Sequence, residues 1–148
     1  MIRKATASDE LRIRECAELA YARYVPLIGR KPAPMVADFV EQIGSGQVYI
    51  ASTDEGDFQG FIVFYAEGDH ILLENVAVLP RSAGSGVGKA LIAFCEREAR
   101  NSGKRAVRLY TNEKMEENLS IYLRLGYSEV ARRCENGFNR VYFEKPLI

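Results

Sequence analysis

A chain of 148 residues has the length of one ordinary domain with its own core, and residues 1–148 read as a single unit. Its 20 Lys and Arg balance 20 Asp and Glu, which argues against nucleic acid or a membrane surface as a partner. No apolar run reaches the roughly 18 residues that span a bilayer, and Met1-Ile2-Arg3-Lys4 leads into polar sequence without a signal-type stretch, so a cytoplasmic location is expected.

Ile2–Thr6 reads as a first strand, and Ser8-Asp9-Glu10 opens a helix with an N-cap and acidic first-turn residues. Ile13, Cys16, Ala17, Ala20 and Tyr24 repeat at the spacing of one helix face. Pro26, Gly29, Pro32 and Pro34 predict a stiff loop over 25–33 and a second helix near 34–44, stopped by Gly44 and Gly46. Strands follow at Gln47–Thr53, Phe58–Glu67 and His70–Leu79, joined by short turns into an antiparallel meander. A helix runs from the glycine-rich stretch 84–88 to about Asn101, with Val87, Ala90, Leu91, Phe94, Cys95 and Ala99 on one face. Ala106–Thr111 is then a strand that should lie parallel to the one before that helix. Met115, Leu119, Tyr122 and Leu123 mark a short helix, and Asn136-Gly137 joins Tyr127–Glu135 to Phe138–Glu144 as a two-residue hairpin. The sum is an α+β domain of about seven strands and four helices.

Three cysteines, Cys16, Cys95 and Cys134, are widely spaced and expected as structural thiols rather than a disulfide, ligand or nucleophile set. His70 is the single histidine, expected to be solvated at a turn, and no metal site is expected.

Most of the chemistry lies between Leu72 and Lys89, where an apolar run ends at Pro80 and a glycine-rich turn opens a helix. Glycines at 84, 86 and 88 let a ligand approach the backbone, and the free N–H groups of a first helical turn attract phosphate. A Walker-type loop fails here, because Ala83 stands where its first Gly should be and Ala90 where its hydroxyl should be. The dinucleotide fingerprint fails too, because its third Gly falls on Lys89 or Leu91. The Gln/Arg-x-x-Gly-x-Gly/Ala loop for the pyrophosphate of coenzyme A fits Gly86-Val87-Gly88 after Val76-Ala77-Val78-Leu79-Pro80.

With Tyr122 four residues before Gly126-Tyr127, about 35 residues downstream of that loop, the chain resembles the GNAT superfamily of acetyl-CoA-dependent N-acetyltransferases over nearly its whole length. Two positions depart from the pattern. Ala83 occupies the usual Gln/Arg position, leaving Arg81 or Lys89 to supply a basic group, and Met115 occupies a usual Asn position, leaving Asn112 or Asn118.

The resemblance implies a GNAT-like mixed, mostly antiparallel central sheet and acetyl-CoA as cosubstrate. Gly84, Ser85, Gly86, Val87, Gly88 and Lys89 would hold its pyrophosphate, Val76, Ala77 and Val78 its pantetheine arm, with Asn118 beside them. The resemblance implies that the acetyl group passes to a primary amine by direct attack in a ternary complex, with which the lack of a Cys or Ser in a nucleophile-plus-base arrangement agrees. An alkylammonium with a pKa near 10 needs a base, and Glu74, just before the coenzyme segment, is the candidate, acting through a water. Against this, Glu74 beside His70 also suits an ion pair.

Tyr122 would protonate the departing thiolate, although its spacing equally suits core packing. Tyr21 and Tyr24 resemble the acceptor-binding region, while Tyr24 also belongs to the apolar helix face. Tyr110 and Asn112 end a strand near the cleft and are candidate acceptor-binding residues. The acceptor itself, a small molecule or a peptide amine, is not specified, and a homodimer is expected from the resemblance, with the last hairpin as a pairing edge. Ala83 and Met115 keep open a coenzyme A-binding sensor without turnover, and another acyl-CoA would suit the same site.

Overall fold

The computed structural model describes residues 1–147. Seven strands, β1 (Ile2–Lys4), β2 (Val48–Ser52), β3 (Phe58–Glu67), β4 (His70–Val78), β5 (Ala106–Asn112), β6 (Ser128–Glu135) and β7 (Phe138–Pro146), form one sheet in the order β1-β2-β3-β4-β5-β7-β6. Every neighbouring pair is antiparallel except β4 and β5. The helices are α1 (Glu10–Tyr21), α2 (Val25–Ile28, a single turn), α3 (Phe39–Gly44), α4 (Val87–Asn101) and α5 (Glu116–Arg124). This is the expected mixed, mostly antiparallel α+β architecture.

Strand alternation sorts the core into two layers. Phe61 and Val63 of β3 pack with Ile13, Cys16, Ala17 and Phe39 of α1 and α3 on one face. Ile62 and Phe64 pack with Leu91, Ile92, Cys95 and Ala99 of α4, together with Val107, Val141 and Phe143, on the other. The buried positions of α4 are Leu91, Ile92, Cys95, Glu96 and Ala99, so of the stripe read from sequence Leu91, Cys95 and Ala99 are buried, Val87 and Phe94 are half-buried, and Ala90 is exposed while Ile92 packs instead. The Asn136-Gly137 turn has φ of 53° and 79°, the left-handed pair a two-residue hairpin requires.

Local chemistry adjusts three expectations. The helix expected near 34–44 begins only at Phe39, because Asp38 caps it by accepting the Glu41 N–H at 3.1 Å, and Ala33–Met35 forms a 3-10 turn instead. The loop over 25–33 contains α2, with Pro26 in its first turn and Gly29 at φ 91° ending it. His70 is buried rather than solvated, with its two ring nitrogens 3.2 and 3.4 Å from the Glu67 and Asp69 carboxylates. Cys16 and Cys95 are buried and Cys134 is exposed.

One irregularity shapes the centre of the sheet. Val63 pairs with Asn75 and Phe64 with Leu73, so Glu74 is an extra residue on β4, a β-bulge. The bulge shifts the alternation by one: Ile71 and Leu73 face α4, whereas Ala77 faces α1. Parallel pairing of β4 with β5 ends at the same point, with Leu73 opposite Leu109. Beyond it the two strands part and leave a cleft at their carboxyl ends, where ligands of open α/β sheets collect.

Candidate active site

After Leu79, Pro80–Ser82 makes a 3-10 turn, Ala83 is extended, and Gly84 and Gly86 take φ of 81° and 85°, a conformation that favours glycine. Gly86 is the N-cap of α4, and its carbonyl accepts the Ala90 N–H at 3.0 Å. The Val87, Gly88 and Lys89 amides precede that first intrahelical bond and have no acceptor among the described residues. A Cβ at Gly88 would meet Val78 at 3.5 Å, an ordinary contact, so the helix start lies close against β4.

The corner opens on a cavity of about 790 Å³ that Val76, Ala77 and Val78 also line. Lys89, Arg23 and Arg124 reach its wall and Arg81 does not, which favours Lys89 of the two basic substitutes for Ala83. Ser85 turns away and donates to the Ser82 carbonyl at 2.5 Å. Unpaired amides at a helix N-terminus, with Lys89 and Arg124 in the wall beside an Arg23 paired to Glu117, fit the pyrophosphate of coenzyme A.

A second cavity, of about 310 Å³, lies at the β4–β5 cleft, lined by both strands. Glu74 stands in its wall, accepting from Gln42 Nε2 and, at 3.1 Å, from the Tyr65 hydroxyl. Burial, and then the Glu74 charge, raise the Tyr65 phenol far above its ordinary range, so it remains a donor. Gln42 Oε1 is buried and accepts no hydrogen bond among the described residues. Tyr110 and Asn112 of β5 line the same cavity, and Asn112 Oδ1 accepts the Lys114 N–H at 2.9 Å. Arg140 of β7 completes that wall.

Four residues, Tyr21, Val76, Asn118 and Tyr122, line both cavities. The Tyr21 hydroxyl shares its proton between Asn75 Oδ1 at 2.7 Å and the Val76 carbonyl at 3.0 Å. Asn75 Nδ2 donates to the Pro34 carbonyl at 3.0 Å, which fastens the proline-rich loop to β4. The Tyr122 ring packs against Tyr127 and Phe143, while its hydroxyl makes no hydrogen bond among the described residues. Burial, and then nearby Cys95, push the Tyr122 phenol well up. Asn118 Nδ2 meets the buried Met115 sulfur at 3.6 Å.

The structure thus brings together Glu74, Tyr110 and Asn112 in one cavity, and the glycine corner with Val76–Val78 in the other. Tyr24 stands apart from Tyr110 and Asn112: it lines the larger cavity, with its hydroxyl accepting from Arg23 at 2.7 Å. Gln42, Tyr65, Asn75 and Arg140 escaped sequence reasoning. Pairing across the bulge places Tyr65 and Asn75, the β5–β7 ladder places Arg140, and packing of α3 brings Gln42 to Glu74.

An open mixed sheet whose parallel strands part beside a glycine-rich helix start has the arrangement in which α/β proteins bind ligands. A family model described as acetyltransferase (GNAT) domain matches residues 44–129. The chain belongs to the GNAT acetyltransferase family. It is similar to aminoalkylphosphonate N-acetyltransferase of Salmonella typhimurium, 37% identical over 57 residues that make up 38% of this chain and 37% of that protein. In fold it matches the PaiA N-acetyltransferase of Thermoplasma acidophilum, solved in complex with coenzyme A, with a TM-score of 0.79 at 17% identity over 99% of this chain and 98% of that one. It matches a GNAT-family acetyltransferase of Staphylococcus aureus with a TM-score of 0.81 at 14% identity over 100% and 99% of the two chains. No helix among the described residues is long and apolar enough to cross a membrane.

Proposed function

We propose that this protein transfers the acetyl group of acetyl-CoA to the primary amine of a small molecule or peptide by direct attack in a ternary complex. The observation that carries this reading is the meeting of two cavities at Tyr21, Val76, Asn118 and Tyr122, one under the glycine corner and the other holding Glu74. Acetyl-CoA, when bound, supplies an activated acyl carbon and a thiolate leaving group. The Val87–Lys89 amides and the Lys89 side chain bind its pyrophosphate, and the β4 edge freed beyond Leu73 holds its pantetheine arm. A backbone N–H of that edge can donate to the acyl oxygen as negative charge develops on it.

Glu74 takes the ammonium proton through a water, with Gln42 and Tyr65 fixing the orientation of its carboxylate. Tyr122 gives its proton to the departing sulfur and regains one from solvent. Covalent catalysis by the buried cysteines is disfavoured, because burial pushes the Cys16 thiol up to about 12 and the Cys95 thiol higher still. The match to an N-acetyltransferase of known acceptor type supports nitrogen as the nucleophile.

Calorimetric titration with acetyl-CoA, with ATP and NAD as controls, joined to thiol release over a panel of amines, tests the reading. Binding with amine-dependent release is expected. Binding without release from any amine would favour the sensor, and no binding would refute the assignment of the glycine corner.

A further inference from the structure

Within the smaller cavity the charges are separated. Glu74 on the β4 wall and Asp38 at the start of α3 are its carboxylates, and on the β5–β7 wall Arg140 is the one cation among the described lining residues. Arg140 lies directly across the ladder from Asn112, with its guanidinium carbon 4.5 Å from the Tyr110 ring centroid and 5.5 Å from that of Phe138. Its side chain is only 12% exposed, and its one side-chain polar contact among the described residues is an ion pair with Glu135. The nearest carboxylate oxygen, on Glu135, is 3.5 Å from Nη1 and also accepts from the Tyr142 hydroxyl. A guanidinium set against an aromatic ring, paired at one nitrogen and with no other partner among the described residues, presents a pre-organised fork for a carboxylate or phosphonate.

We infer that Arg140 binds an anionic group on the acceptor, so that the preferred substrate is a short amino acid or aminophosphonate carrying its amine at the end away from the acid. Such a molecule matches both walls, with its acid on Arg140 and its ammonium toward Glu74 and the junction with the coenzyme cavity. Gln42 Oε1, without a partner among the described residues, supplies a further acceptor on the Glu74 side. A cavity of about 310 Å³ suits a molecule of this size, being at the small end of ligand sites. The inference rests on the acetyl-transfer reading for the place of the amine, whereas the anion site stands on Arg140 itself.

The test compares β-alanine and 2-aminoethylphosphonate with n-propylamine, which lacks the acid. Thiol release gives kcat and KM for each, and calorimetry on the coenzyme A complex gives binding independently of turnover. The wild type is expected to favour the acidic amines, and Arg140→Gln to lower the ratio of acidic to neutral kcat/KM by roughly ten- to a hundredfold, mainly through KM. Arg140→Lys, which keeps the charge without the fork, should fall between. Retained melting temperature and acetyl-CoA affinity show that the variants are folded.

Equal or better use of n-propylamine by the wild type overturns the inference while acetyl transfer stands. An equal loss for both kinds of amine in Arg140→Gln overturns it as well, making Arg140 structural. Binding of an acidic amine that Arg140→Gln abolishes, with no thiol release, upholds the anion site and refutes the transferase reading. Failure of both acidic amines to bind overturns the inference.

Discussion

Replacing Tyr122 by Phe separates its two readings, core packing and proton donation. The substitution removes an oxygen that makes no hydrogen bond among the described residues and leaves the ring contacts with Tyr127, at 5.7 Å, and Phe143, at 5.8 Å, in place. No partner is orphaned and no cavity opens, so the stability change should stay within about 0.5 kcal/mol, or roughly 2 °C in a chain of this size. Turnover should respond differently. General acids contribute about 100- to 10,000-fold, and a thiol with a pKa near 8.5 leaves readily enough to place this one at or below the lower end. A loss of roughly ten- to a hundredfold is expected in kcat and kcat/KM together, since the proton is delivered only as the bond to sulfur breaks. Because burial raises the Tyr122 phenol, the residue stays protonated throughout the working range, and wild type and variant should share any alkaline limb below pH 10. Thiol release at saturating acetyl-CoA and a thermal melt provide both numbers. An unchanged rate would refute the donor role, and a melt lowered by more than about 5 °C would refute the claim that the hydroxyl is structurally idle.

Glu74→Gln keeps the side-chain shape but cannot take a proton, and should lower kcat/KM for the amine by at least roughly a hundredfold while calorimetry shows acetyl-CoA still bound; a rate within a few fold of wild type would remove Glu74 from the mechanism. Gly60→Ala sets a Cβ 2.6 Å from the Ala77 carbonyl oxygen, so β3 and β4 must separate. A cost of about 1–3 kcal/mol and weaker acetyl-CoA binding are expected, and unchanged melting would show that the strands yield freely. Alkaline pH should destabilise the fold, because Tyr21, Tyr122 and Tyr127 are buried with raised phenols, whereas unfolded tyrosines ionise near pH 10. Above that pH the unfolded chain binds fewer protons, so stability falls as pH rises, by up to about 4 kcal/mol per unit for the three together; urea midpoints that stay level from pH 9 to 11 would contradict it.

The glycine corner was legible in the sequence because its cause is local: Gly84, Gly86 and Gly88 act through their own backbone, and the helix stripe from Val87 to Ala99 follows from a fixed period. The Asn136-Gly137 hairpin was legible for the same reason. The acceptor side was not. Gln42, Tyr65 and Glu74 come from three elements, and nothing in the spacing of 42, 65 and 74 announces that one amide and one phenol will meet one carboxylate. Asn75 sits in an apolar run where alternation alone points it the wrong way. Arg140 looks like any polar residue of a hairpin strand until β7 inserts between β5 and β6 and sets it opposite Asn112. His70, expected at the surface, is buried between strand ends whose carboxylates take its ring nitrogens.

The bulge at Glu74 explains why the two halves of the site differ in this way. Without the extra residue, Asn75 and Ala77 would follow Leu73 onto the α4 face, and Tyr21 would lose its Asn75 partner. With it, Glu74 reaches Gln42 and Tyr65 while Asn75 reaches Tyr21 and Pro34, so two consecutive residues both serve the α1–α3 side. The same step coincides with the end of β4–β5 pairing at Leu73, which frees the strand edge beside the glycine corner. One inserted residue therefore places the proposed base, fastens the proline-rich wall through Asn75, and opens the seam at which the two cavities join. A bulge conserves nothing of its own in composition or charge, so its consequences become visible only through the register of the strands that flank it.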